Sequence, residues 1–243
     1  MVQEPAVKRV VAFVDGQNLY HAAQESFGSP PPETDVGALA RSVCARRGWR
    51  LAEVRYYTGV PGPRENPDGH RRSIERLAAL ARRGVRVFSR PLRYRPRVVR
   101  RPDGSAGVVR AGQEKGIDVR IALDVLDLAH RRAYDVALLF SQDQDLSEAA
   151  ADVRRTAAEQ RRWIRAASAF PCGPRTHNRR GIDGTDWIPI DRPTFDACRL
   201  AGPARPGSGA SPAIPSRNRG RRCGPRRNRR RSRPRNDTRL GPA

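Results

Sequence analysis

Seven residues, Asp135 to Ser141 (DVALLFS), constrain this chain more than any others. Their apolar run does not alternate with polar residues. It reads as a strand hidden on both faces, as parallel strands covered by helices are. A second β-branched run, Val10–Val14 (VVAFV), ends in Asp15-Gly16. It reads as a buried strand that stops at a carboxylate. Helical and strand signals alternate around these two. Helices are expected over Leu19–Phe27, from the Asp35 cap to Arg47, over Arg71–Arg83 with Gly84 just past the end, over about Gly116–Arg131, over Leu146–Gln160, and briefly over Pro193–Leu200. Further strands are expected at Leu51–Thr58, Val85–Ser89, Trp163–Ala167 and Trp187–Ile190. Ser29 to Glu33, with three consecutive prolines, and Pro61 to Gly69 read as loops, and Pro91 to Gly112 as a hairpin or a mobile flap. Such alternation specifies an α/β fold with a mainly parallel sheet and helices on both faces.

The pattern ends at Leu200. Residues 8–200 read as one domain. Residues 201–243 are Gly, Pro, Ser, Asn and Arg with almost no large apolar side chain, and are expected to be a disordered tail. This lowers the hydrophobic fraction to 37%. The formal net charge is +23, and Lys8 and Lys115 are the only lysines. A chain this rich in arginine is suited to phosphate, which points to nucleic acid first and an anionic membrane surface second. GC-rich coding also inflates Arg, Ala, Pro and Gly together, so charge supports a polyanionic partner without identifying it. Cys44, Cys172, Cys198 and Cys223 are widely spaced, which disfavours a zinc site or a disulfide framework. A reducing cytoplasm is the expected location. No stretch reads as a signal peptide or a membrane span.

Four aspartates stand out by position. Asp15 ends the first strand, and Asp143 and Asp145 follow the strand that ends at Ser141. Sites in open α/β sheets form outside the carboxyl ends of strands, so these turns are expected to be neighbours. Asp118 sits in an otherwise apolar helix, with Glu114 four residues before it. Gathered carboxylates repel one another, and a hard divalent cation such as Mg²⁺ or Mn²⁺ removes that repulsion. Beside a phosphodiester such an ion supports hydrolysis without an organic cofactor. Each residue also has a plainer explanation: Asp15 as a helix cap, Asp143 and Asp145 as acids at a helix start, and Asn18 as a cap. Asp124 and Asp127 face away from Asp118 and read as solvated or structural.

The segments VVAFVDGQNLY, EKGIDVRIALDVLDLA and YDVALLFSQDQDLSEAA, in this order and spacing, resemble the NYN domain family of the PIN-like nuclease superfamily. GIDGTDWIPIDRPTFDAC resembles the closing segment of bacterial members. The resemblance covers about 8–200. It implies a Rossmann-like PIN fold and a ribonuclease dependent on Mg²⁺ or Mn²⁺. By position it implies Asp15, Asp118, Asp143 and Asp145 as metal-binding catalytic residues, Asn18 as their polar companion, and Ser141 as a substrate-side residue. Glu114 lies where the family pattern varies. One departure stands out: Gln142 and Gln144 occupy positions where the family often has glycine, and their bulk is expected to narrow the approach.

RNA is therefore the expected partner, with homo-oligomerisation left open. Arg93, Tyr94 and Arg95, in the basic 90–110 stretch, are expected to contact it, the arginines at phosphates and the tyrosine by stacking on a base. A solvated loop is the competing explanation. The Arg217–Arg239 run is expected to add non-specific affinity. Two rivals stand beside a ribonuclease: a nuclease-like module that binds RNA without cutting, and a metal-dependent phosphatase or nucleotide hydrolase, which would leave the arginines without a purpose.

Overall fold

A computed structural model describes residues 2–28, 34–100 and 104–200. The expected proline loop at 29–33 and the tail at 201–243 lie outside the described residues. The elements are β1 (Arg9–Asp15), α1 (Gly16–Phe27), α2 (Val36–Arg47), β2 (Arg50–Val60), α3 (Pro67–Arg82), β3 (Arg86–Pro91), β4 (Arg93–Arg100), β5 (Ala106–Gln113), α4 (Ile117–His130), β6 (Val136–Phe140), α5 (Ser147–Glu159), β7 (Arg165–Pro171), β8 (Asp186–Ile190) and α6 (Arg192–Asp196).

Six strands form one sheet in the order β3-β2-β1-β6-β7-β8, with every pairing parallel. β1 and β6 lie at its centre, paired from Val10↔Val136 to Val14↔Phe140. Side chains alternate between the two faces of a strand, and the core divides accordingly. Val10, Ala12, Val14, Val136, Leu138 and Phe140 face a layer that includes α1, α2 and α3. Val11, Phe13, Ala137 and Leu139 face α4 and α5 on the other side. The unbroken apolar run in β6 is thus the signature of a strand with helices on both faces, as the sequence predicts. β4 and β5 pair as a separate antiparallel ribbon, which resolves the basic 91–112 stretch into a hairpin.

Local chemistry moves some of the expected boundaries. α3 begins at Pro67, well before Arg71, because the Asn66 side chain accepts from the Gly69 N–H (2.8 Å) and Pro67 occupies the first turn. The expected strand at Trp163–Ala167 lies further along, at Arg165–Pro171, where it pairs with β6 from Val136 onward. Asp124 is structural and buried rather than solvated. It accepts from the Tyr57 hydroxyl (2.8 Å) and pairs with Arg55 (3.1 Å) and Arg120 (2.7 Å). Partners of this kind are what a buried carboxylate requires.

At the N-terminal edge of the central strands, Asp135 accepts from the Arg9 backbone N–H (2.8 Å) and pairs with the guanidinium groups of Arg9 (3.1 Å) and Arg162 (3.4 Å). This clasp joins residues 126 positions apart and sets the register of β1 against β6. The central strand should be sensitive to truncation and the ribbon indifferent to it. Leu138→Ala is expected to cost about 2–5 kcal/mol in urea unfolding. Val98→Thr, at a side chain that is 68% exposed, is expected to stay within about 0.5 kcal/mol.

Candidate active site

Chain order reverses between β1 and β6: β2 and β3 build outward on one side, β7 and β8 on the other. A crevice opens beyond the carboxyl ends of strands at such a switch point. Here it is a cleft of about 600 Å³ whose acidic lining comes from separate parts of the chain. β1 delivers Asp15, the turn after β6 delivers Asp143, and the start of α4 delivers Asp118, with Glu114 from the segment just before it. Three of the four aspartates expected at the site therefore meet in one cleft, together with Glu114. Asp145 does not line it. That side chain is exposed, and its backbone N–H donates to Asp143 Oδ1 (3.1 Å).

The scaffold holds these acids by hydrogen bonds that each have a local cause. Asp15 caps α1, accepting from the Asn18 N–H (3.0 Å), so the cap expected of Asn18 belongs to Asp15. The Asn18 side chain reaches across the switch point instead, and its Oδ1 accepts from the Gln142 N–H (3.0 Å). Ser141 is buried, accepts from the Asp143 N–H (3.1 Å) through its hydroxyl, and through its carbonyl accepts from the Ser168 hydroxyl (2.7 Å). It shapes the turn that presents Asp143. Glu114 accepts from the Gly59 N–H and from the Thr58 hydroxyl (3.4 Å). A side chain at Gly59 would collide with it, as one at Gly16 would collide with the Tyr56 hydroxyl. Both glycines are set by close approach.

Electrostatics follow from this packing. Asp15 is only 7% exposed. Burial pushes its carboxyl up to about 6, and the charges of Glu114 and Asp143 push the same way against the capping N–H of Asn18. Burial also raises Glu114, aided by Asp118 and opposed by its hydrogen bonds from Gly59 and Thr58 and by His21. The cleft thus holds mutually repelling carboxylates, an all-oxygen donor set suited to a hard cation. Among the described residues, no three acidic, His or Cys side chains form a group that would hold a metal ion by themselves. Such a set fits an ion that keeps several waters and shares its remaining positions with phosphate, the habit of Mg²⁺.

Some lining residues were not singled out from sequence. His21 and Glu25 lie one and two turns beyond Asn18 on α1, a helical spacing that could have flagged them. Lys115 and Asn178 also line the cleft. Nothing local marks Asn178, which arrives on the segment between β7 and β8. The RNA-contact candidates Arg93, Tyr94 and Arg95 lie outside the cleft on β4. Tyr94 accepts from the Gly62 N–H through its hydroxyl (3.1 Å), which ties the ribbon to the loop after β2.

The raised carboxyl of Asp15 has a measurable sign. A group with a raised folded-state pKa stabilises the fold below its unfolded value, near 4, and loses that contribution as pH rises through about 6. In metal-free buffer at pH 8, Asp15→Asn is therefore expected to be more stable than the natural chain by about 3 kcal/mol in urea unfolding. The difference should vanish below about pH 4. Equal stabilities at pH 8 would show that Asp15 carries no buried charge.

No curated protein matches this chain. Among solved structures it is similar to a protein of unknown function from Vibrio parahaemolyticus, with 22% identity, 80% of this chain and 99% of the other covered, and a TM-score of 0.48. It is also similar to MurG of Acinetobacter baumannii, with 11% identity, 75% and 45% covered, and a TM-score of 0.30. At these scores neither likeness bears on function. The NYN domain model matches residues 9–161, the stretch that builds β1 to α5 and contributes Asp15, Glu114, Asp118 and Asp143. The chain belongs to the NYN domain family, a PIN-like nuclease domain.

Proposed function

We propose that this protein hydrolyses RNA phosphodiester bonds with the aid of Mg²⁺ or Mn²⁺. The observation that carries the reading is the convergence of Asp15, Glu114, Asp118 and Asp143 on one cleft at the switch point of a nuclease-family sheet. Asp15, Asp118 and Asp143 would hold the ion directly or through water, with Glu114 beside them and Asp145, outside the cleft lining, acting through water. Bound there, the ion supplies Lewis-acid chemistry that makes water nucleophilic at neutral pH and offsets charge on the phosphate.

The remaining roles belong to the chain itself. Asn18 fixes the distance between the α1 start and the Asp143 turn through Gln142. Ser141 supports that turn from within, so its part is to hold Asp143 rather than to touch substrate. Lys115 and His21 line the cleft beside the acids, and the Lys115 ammonium can pair with a phosphate as the strand enters. On the ribbon, Arg93, Arg95 and Arg97 share one face, since residues two apart on a strand point the same way at a spacing of about 7 Å. They would follow successive phosphates. The hydrogen bond from Gly62 to its hydroxyl anchors Tyr94 and fixes the ring that would stack on a base. Residues 8–200 would form the working unit, and the arginines of 217–239 would add non-specific affinity. The buried Cys44, Cys172 and Cys198 suit a reducing cytoplasm. Among the described residues, no helix is long and apolar enough to cross a membrane.

A second reading, an RNA-binding module without cleavage, draws on the absence of a preformed three-ligand metal group among the described residues. The two readings separate in a cleavage assay on labelled single-stranded RNA with Mn²⁺ or Mg²⁺ against EDTA. Cleavage is expected only with metal, and Asp143→Asn should lower it by at least about 100-fold, the loss typical when a key electrostatic group is removed. Binding without cleavage by the natural chain would establish the second reading. Replacing Arg93, Arg95 and Arg97 together by Ala should flatten the salt dependence of binding by a slope of about 2, at about 0.7 per phosphate contact. An unchanged slope would remove the ribbon from the interface.

A further inference from the structure

The segment between β7 and β8 has little regular structure of its own, yet it is stitched down on both sides of the cleft. On the α1 side, the Thr176 hydroxyl bonds the Ser26 hydroxyl in the interior (2.8 Å), the Gly173 N–H donates to Thr176 Oγ1 (2.7 Å), and the His177 N–H donates to Glu25 (2.8 Å). On the β6 side, two glutamines do the work. Gln142 Nε2 donates to the carbonyls of Asn178 (2.9 Å) and Arg180 (2.8 Å). Gln144 donates to the Gly181 carbonyl (3.1 Å) and accepts from the Asp183 N–H (3.1 Å). Two adjacent side chains thus satisfy four backbone groups of a surface segment that would otherwise turn to water. Asn178, where the second set of stitches begins, lines the same cleft as Asp15, Asp118 and Asp143.

We propose that Gln142 and Gln144 are positioning residues that fix segment 176–183 as a wall of the cleft, and that this wall makes the cleft select unpaired RNA over duplex. The inference rests on the ribonuclease reading for its substrate class. A cleft of about 600 Å³ is the size of an ordinary small-ligand site. With the wall in place it takes a short stretch of splayed strand, whose bases can leave the stack. A rigid duplex would have to displace the wall before its backbone came level with Asp15 and Asp143. On this reading the glutamines narrow the approach by recruiting a neighbouring segment, and Gln142 also lines the cleft itself.

The test is the full chain carrying Gln142→Ala and Gln144→Ala together. Hydrogen exchange reads the clamp without any need for activity. Amides of 178–183 should exchange at least about tenfold faster, while those of β1 and β6 keep their protection and show that the fold is intact. Binding is then measured by fluorescence anisotropy on a single-stranded RNA and its blunt duplex, with Mn²⁺ and in an Asp143→Asn background so that no strand is cut. The chain with both glutamines should prefer the single strand, and the double variant should lose at least half of that preference on a logarithmic scale. Unchanged exchange, faster exchange with unchanged preference, or no preference at the outset would each overturn the proposal. Failure of the parent reading looks different: a natural chain that prefers the single strand, loses that preference with the clamp, and cleaves nothing in Mn²⁺ keeps the wall and discards the nuclease.

Discussion

Five residues of β1 and five of β6 run side by side with helices over both faces, and the rest of the molecule is arranged around that contact. Because neither strand meets water, each must present apolar side chains in both directions, and each face must be closed by a helical layer. The chain builds away from this pair in two opposite directions. That reversal opens a gap at one end of the pair, where the strands stop at Asp15 and Phe140. The position of the cleft is thus a consequence of topology: Asp15 and Asp143 are there because both central strands end there, and Glu114 and Asp118 arrive with the start of α4.

Placing acids at that point carries a standing electrostatic cost. Asp15 is buried beside two other carboxylates, and only one capping N–H pair and the end of α1 work in its favour. The same molecule shows how a buried carboxylate is handled when no function requires tension. Asp124 receives a tyrosine hydroxyl and two guanidinium groups, and Asp135 receives two arginines. The cleft acids are denied such partners even though arginine is the commonest cation in the chain. Among the described residues no arginine lines the cleft, where Lys115 is the cation beside the acids. This contrast separates acids that hold the fold from acids available to a cation or a substrate.

Much of this is legible in the sequence because it is periodic or positional. The unbroken run of β6, the β-branched run of β1 and the alternation of helix with strand are enough to infer the parallel sheet. The strand-end rule then brings Asp15 and Asp143 together, and Asp118 stands out as a carboxylate in an apolar helix. What escapes is whatever depends on long-range hydrogen bonds. Asn18 looks like a cap until the Gln142 N–H claims its side chain, and nothing local shows that Gly62 engages the Tyr94 hydroxyl. Asp145 looks equivalent to Asp143, but the turn at Gln144–Leu146 carries the two in different directions. Asn178 could not be found at all, since it enters the cleft on a segment whose course is set by Gln142 and Gln144 rather than by any pattern of its own.

The clasp between Arg9 and Asp135 has a bearing on the order in which the site comes into being. It joins parts of the chain separated by most of the domain, and closing so long a loop is entropically late and kinetically slow. The strand carrying Asp15 is made first during synthesis, but its central partner emerges only after β2, β3, the ribbon and α4. Until β6 arrives, β1 lacks one of its two neighbours and the turn bearing Asp143 does not exist. The cleft therefore cannot mature piecemeal. A nascent or partly unfolded chain holds its acids far apart, and any activity housed there is confined to molecules that have completed the centre of their sheet.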